Sequence, residues 1–143
     1  MSRNIASVNI LQLERPGNSH NLPVSNKQEY KALERFLNKE LSFEYNMKKR
    51  FAAIGGASVR NTVMGMLKFL LRNEVAMKFN WAGSDKRPFK TTNMMKVIKE
   101  AAIYSYRGRD DQDLTDEVIE ESVKDWLKLA KARYGYSSNR KHK

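Results

Sequence analysis

The side chains best placed to do chemistry in this sequence are cations, and their most distinctive setting is "FNWAGSDKRPFKTT", residues 79 to 92. Lys86, Arg87 and Lys90 stand close together there, just ahead of Thr91 and Thr92, either of which is a natural N-cap for the helix-patterned "NMMKVIKEAAIYSY". Cations beside a helix start suit a phosphate, because the first-turn N–H groups have no partner within the helix and its dipole favours an anion. Gly83 and Pro88 set the loop backbone, while Phe79, Trp81 and Phe89 are expected to anchor both its ends in the core. A loop held in this way loses less entropy on binding. Trp81 could instead stack on a base, although an aromatic that follows a helical apolar series is more commonly core. The plainer alternative for the whole loop is an exposed connector whose charges face water.

The rest of the charge is distributed so as to support the first reading. Of a net charge of +11, residues 47–109 hold fourteen Lys and Arg against three acids, residues 110–125 sum to -7 and residues 126–143 to +6. Lys96 and Lys99 continue the loop's charge onto the following helix. Lys48, Lys49, Arg50 and Arg60 flank Gly55 and Gly56 and would add a second phosphate contact if that turn lies near the loop. "RYGYSSNRKHK" carries Arg140, Lys141 and Lys143 on a Ser- and Asn-containing stretch, which reads as a disordered basic arm, a nuclear-import address or a frayed chain end. Such concentration attracts polyanions, since each neutralised phosphate releases condensed counterions. A solvated face that keeps the protein soluble is the other use of the same charge.

Catalytic and metal chemistry find little support. His20 and His142 sit at opposite ends, cysteine is absent, and there is no Gly-Xaa-Ser-Xaa-Gly, P-loop or His-Glu-Xaa-Xaa-His arrangement. "DDQDLTDEVIEE" lacks the glycine and the twelfth-position glutamate of a calcium loop, and reads as an acidic helix start that complements the dipole. It could also pair with a basic patch, in the same molecule or in a second copy. The expectation is therefore a protein that is not an enzyme and uses no cofactor, metal or small-molecule substrate. Without an apolar run near the roughly 18 to 20 residues of a membrane span, or the apolar centre of a secretory signal, no membrane role and an intracellular, nuclear location are expected.

The elements that must position these residues read as helices. "SNKQEYKALERFLNKE" opens with Ser25 and Gln28 in capping-box register and places Tyr30, Leu33, Phe36 and Leu37 on one stripe. A second helix from Ser42 to Ile54 turns Phe43, Met47, Phe51 and Ile54 inward and stops at the glycine pair. A third, from Ser58, carries Val59, Val63, Met66 or Leu67, Leu70 and Leu71 and is the most apolar. A short helix from Asn73 leads into Trp81. After the loop, Met95, Ile98, Ala101 and Ala102 face one way, and a last helix capped by Thr115 runs to Tyr134 with Gly135 as its stop. "SVNILQL" is either a short edge strand or a docked arm, and no convincing strand pair exists elsewhere. The fold class is all-α: a compact bundle of about five or six helices over 22–135, an irregular arm over 1–21 and a basic tail over 136–143.

"LPVSNKQEYKALERFLNKE", "FAAIGGASVRNTVMGMLKFLLRNEVAMKFNWAG" and "RPFKTTNMMKVIKEAA" together resemble domain of unknown function 4806, a small helical domain found in insect and other invertebrate proteins, often ones resembling mobile-element products. The layout of the second half, with a Lys-rich loop, a "KVIKEA" helix and a closing helix bearing Trp126, is also similar to the BEN domain. BEN domains are helical chromatin modules that bind DNA and often pair. This chain departs from that pattern in the acidic stretch Asp110 to Glu121 ahead of its last helix, which does not suit groove reading. These resemblances imply a module of a chromatin, transcription-related or transposon-derived protein that binds nucleic acid, duplex DNA above all, through its phosphates. The alternative is a protein-interaction or homodimerisation module in which the acidic face of one chain meets the basic face of another.

Overall fold

Val63, Met66, Leu67 and Leu70 are each at most 1% exposed and share one stripe of the helix Val59–Leu70, which forms the axis of the core. The computed structural model describes residues 22–109 and 111–141, with side chains through residue 135. In chain order the helices among the described residues are α1 (Lys27–Lys39), α2 (Leu41–Ala52), α3 (Val59–Leu70), α4 (Asn73–Ala76), α5 (Asn93–Ser105), α6 (Asp116–Lys128) and α7 (Ala130–Lys141). The protein is all-α, with one helix more than the upper expectation. The arm over 1–21, including "SVNILQL", lies outside the described residues.

α2 packs along α5 and α3 along α6, while α4 docks on α7. The expected inward stripes are buried almost throughout, because a helix three to four turns long gains most of its stability from the apolar face it hides. Ser58, Thr92 and Thr115 cap α3, α5 and α6 as their sequence positions suggest. Ahead of α1, Val24 is fully buried and stitched to the end of α3: its N–H donates to the Leu70 carbonyl at 2.9 Å and its carbonyl accepts from the Arg72 N–H at 3.0 Å.

Four local expectations are corrected. The α1 capping box is shifted by one residue: Asn26 is the N-cap, accepting from the Glu29 N–H at 2.9 Å, and the Glu29 carboxylate reaches back to the Ser25 N–H at 2.7 Å. Ile54 is 38% exposed because α2 ends at Ala52, leaving Ile54 in the turn before the left-handed Gly55. A parallel strand pair does exist, β1 (Phe79–Asn80) with β2 (Arg87–Pro88), too short to show an alternating pattern. Gly135 is not a stop: the helix instead breaks at Leu129, and α7 continues to Lys141, so residues 136–141 are helical in backbone rather than a disordered arm.

The break at Leu129 re-aims α7 onto α4. Arg133 stacks its guanidinium 3.9 Å from the Trp126 ring centroid and donates from Nε to Asn73 Oδ1 at 2.9 Å. That contact, absent from any local pattern, ties α7 to α6 and α4 and favours a continued helix against the roughly 1 kcal/mol that a glycine costs inside one.

Gly83 takes φ +81°, and an added Cβ would come within 2.8 Å of the Pro88 Cβ; Gly108 takes φ +76° with open space around it. An L-residue in this region costs about 1–2 kcal/mol by itself. Gly83→Ala should therefore lower the free energy of unfolding by more than Gly108→Ala does, as read by urea denaturation. Equal losses would show that the close approach of Gly83 to Pro88 contributes nothing.

Candidate nucleic-acid interface

The basic loop is closed by its own backbone. The Arg87 N–H donates to the Lys78 carbonyl at 3.1 Å, the Phe89 N–H to the Asn80 carbonyl at 2.9 Å and the Lys90 N–H to the Trp81 carbonyl at 3.1 Å. Between these bonds, the Asn80 side chain accepts from the Gly83 N–H and donates to Asp85 at 3.0 Å. Phe79 and Phe89 are buried in edge-to-face contact, 5.4 Å between centroids, and Tyr30 meets Phe79 edge-to-face at 5.1 Å. The loop ends are thus anchored in the core as their aromatics suggest, and Trp81 is half-buried against it.

The expected phosphate position at the start of α5 is already filled. The Glu34 carboxylate accepts from the Asn93 N–H at 2.9 Å and the Met94 N–H at 2.8 Å, and Thr92 Oγ1 takes the Met95 N–H at 3.0 Å. Burial pushes the Glu34 carboxyl above its usual range, and the two backbone bonds pull it partly back. An internal anion has therefore replaced the external one, for the reason that made the site attractive: free N–H groups at the positive end of a helix. The sequence carries a signal for this, since Glu34 lies on the 30, 33, 34, 37 stripe where an unpaired acid would be costly.

The predicted cations divide into free and engaged groups. Lys86 and Lys90 are exposed and have no ion-pair partner among the described residues. Arg87 donates to the Tyr30 hydroxyl at 3.2 Å and lies 5.6 Å from its ring centroid, leaving guanidinium donors for a ligand. Lys96 pairs with Glu44 at 3.3 Å, Lys99 with Asp116 at 3.0 Å and Arg60 with Asp125 at 2.9 Å. Lys48 and Lys49 lie near the Tyr45 ring, and Arg50 near Phe69. Arg140 and Lys141 are on α7 by their backbone, but their side chains, and Lys143 altogether, lie outside the described residues.

Three of the predicted cations, Lys96, Lys99 and Arg60, are paired with acids of their own chain, whereas Lys48, Lys49 and Arg50 have ring contacts and no ion-pair partner among the described residues. Lys48 sits beside Tyr104, which is about 16 Å along α5 from its start at the usual 1.5 Å rise per residue. The ion pair of Arg60 is with Asp125, and the ring contacts of Lys48, Lys49 and Arg50 are with Tyr45, Tyr104 and Phe69, none of them a loop residue. The acidic stretch is spent partly within the molecule, through Asp116, Asp125 and the Glu121–Lys124 pair at 3.5 Å.

What the fold does assemble lies on the other side of the loop. A depression of about 500 Å³ opens between the start of α1, α4 and β2, with Lys27, Lys78 and Arg87 on its walls. A second, of about 490 Å³, shares Lys78 and Arg87 and adds Lys86. The acids lining the two are Glu74 and Asp85. Lys27 and Lys78 were not singled out by sequence; the signal for Lys27 is its place in the first turn of α1, where a cation opposes the helix dipole. Among the described residues no group of three His, Cys, Asp or Glu could hold a metal ion, and no helix is long and apolar enough to cross a membrane.

A protein-family model described as "Domain of unknown function (DUF4806)" matches residues 18–101, more than half of the chain and the part that contains the whole basic loop. The chain belongs to this family. Within the DUF4806 segment fall Glu34, the loop and both depressions, whereas α6 and α7 follow it. No curated protein and no solved structure matches the chain.

Glu34→Ala leaves two part-buried N–H groups without their partner and should lower stability by about 1–3 kcal/mol, measured by urea denaturation. Glu34→Gln, which keeps one acceptor, should lose less. Because the folded pKa of Glu34 is raised, its carboxyl favours folding most at low pH, and that advantage is lost as pH rises through the folded value. The stability gap between wild type and Glu34→Gln should accordingly shift in favour of the variant over that range; a gap moving the other way would mean that the backbone bonds outweigh burial.

Proposed function

We propose that this protein is a nucleic-acid-binding module, duplex DNA being the favoured partner, that grips phosphates through Lys27, Lys78, Lys86, Arg87 and Lys90. The observation that carries the reading is the grouping of the first four along two adjoining depressions, without an acidic partner for any of the five among the described residues. Four of them are on or beside a loop pinned by backbone bonds and buried aromatics, so little ordering is left to be done on binding. Lys96, Lys99 and Arg60 serve as secondary contacts: surface pairs of this kind contribute about 0–1 kcal/mol each and can be exchanged for a phosphate. The module acts by binding rather than catalysis, and partnership with DNA puts it in the nucleus. Phosphate grips of this kind position a duplex without reading its bases.

The alternative is a homodimerisation module in which the acidic face over 110–121 meets the basic face of a second copy; Asp116 and Glu121 of that face already pair with Lys99 and Lys124 of their own chain, which leaves less of its charge for a partner.

With four to five phosphates engaged, log affinity for duplex DNA should fall against log salt with a slope of about -4. The Lys78→Glu, Lys86→Glu, Lys90→Glu triple variant should weaken binding on every sequence and flatten that slope by about three, as read by fluorescence anisotropy. Affinity independent of salt defeats the proposal, and an unchanged affinity in the triple variant moves the site elsewhere.

A further inference from the structure

A phosphate needs only cations, yet the larger depression has more than cations. Val75 and Phe79 lie at its floor but are only 5% and 1% exposed, so the aromatic side chain it offers is half-buried Tyr30, with Arg87 against the ring. Such a wall gives nothing to a phosphate and something to a flat, weakly polar ring: stacking on aromatic side chains is worth about 1–3 kcal/mol per base. The volume of about 500 Å³ is within the roughly 300–1,000 Å³ of small-ligand sites. One carboxylate, that of the exposed Glu74, lines it, and it has no ion-pair partner among the described residues.

Resting on the nucleic-acid reading above, we infer that the depression beside Tyr30 accepts one unpaired nucleotide, its base against the Tyr30 ring and its phosphate on Lys27, Lys78 and Arg87. The neighbouring depression, with Lys86, takes the next phosphate of the strand. Glu74 can only accept hydrogen bonds when ionised, so it favours a base with an exocyclic amino group, as a carboxylate does with cytosine N4, over thymine. The module would then bind most tightly where a duplex frays, bulges or offers a single-stranded overhang. The same chemistry is met by a free mononucleotide.

The test compares oligo-dC, oligo-dT and a blunt duplex of equal length by fluorescence anisotropy on the whole chain, with dCMP, inorganic phosphate and a phosphoserine peptide titrated against its NMR spectrum. Oligo-dC should bind more tightly than oligo-dT, and dCMP should shift the Tyr30 and Val75 resonances where phosphate does not. Tyr30→Leu should lower the ratio of oligo-dC to duplex affinity by roughly 5- to 160-fold, which is the loss of one stacked base. Glu74→Gln, an exposed change that leaves the core untouched, should remove the preference for dC over dT. Competition of oligo-dC with dCMP assigns the pocket to a strand; dCMP binding without such competition assigns it to a free nucleotide. Salt-dependent duplex binding with the affinity ratio intact in Tyr30→Leu overturns this inference alone, whereas loss of all salt-dependent nucleic-acid binding by the wild type overturns the phosphate reading. Equal shifts with the phosphoserine peptide also overturn the inference, since the depression would then not distinguish a base.

Discussion

The carboxylate of Glu34 at the start of α5 is the contact around which the candidate interface is arranged. It takes the N–H groups of Asn93 and Met94, while the Glu34 carbonyl takes the Asn93 side-chain amide at 3.1 Å, so α1 and the first turn of α5 are joined by three hydrogen bonds. A half-buried carboxylate is tolerable only where donors and a favourable dipole compensate for lost water, and a helix N-terminus offers both. Because α1 also carries Tyr30, the same junction fixes where the ring that supports Arg87 stands relative to the loop that carries it.

That junction redirects the electrostatics of the whole region. An anion site at the head of α5 would have drawn phosphate to the side of the loop facing Lys96 and Lys99; with Glu34 in place, and Glu44 and Asp116 beside those lysines, that side is close to balanced. On the side facing α1 and α4, Lys27 and Lys78 join Lys86 and Arg87 without an ion-pair partner among the described residues, with Glu74 and Asp85 as the acids of those depressions. Arg87 belongs to both the aromatic cluster and the basic rim. Its hydrogen bond to Tyr30 and its position near the ring hold the guanidinium in place without consuming its charge, as an acid would.

Much of the fold was legible in local pattern. The caps at Ser58, Thr92 and Thr115, the apolar stripes of α3, α5 and α6 and the aromatic anchors of the loop follow from residue type and spacing, because these features depend on neighbours within one or two turns. The misses share a different origin. Gly135 reads as a stop, but the packing of Arg133 on Trp126 and Asn73 keeps α7 running past it. Ser25 reads as the cap of α1, but Val24 just before it is paired with the end of α3, and the extended Asn26 takes the role. The site behaves likewise: Lys86, Arg87 and Lys90 stand out in the sequence, whereas Lys78 is one lysine among many until β1 and β2 pair beside it.

By itself, the sequence determined that the chain is helical, that its charge is concentrated in the middle and that one stiffened loop carries cations ahead of a helix, since composition, period and capping chemistry are local quantities. Which of those cations remain available was decided only by the tertiary structure. Charges separated by tens of residues attract or screen one another according to distance in space, and it is the packing of α1 on α5, α2 on α5 and α3 on α6 that brings Glu34, Glu44 and Asp125 to their partners and leaves Lys27, Lys78 and Lys86 without one.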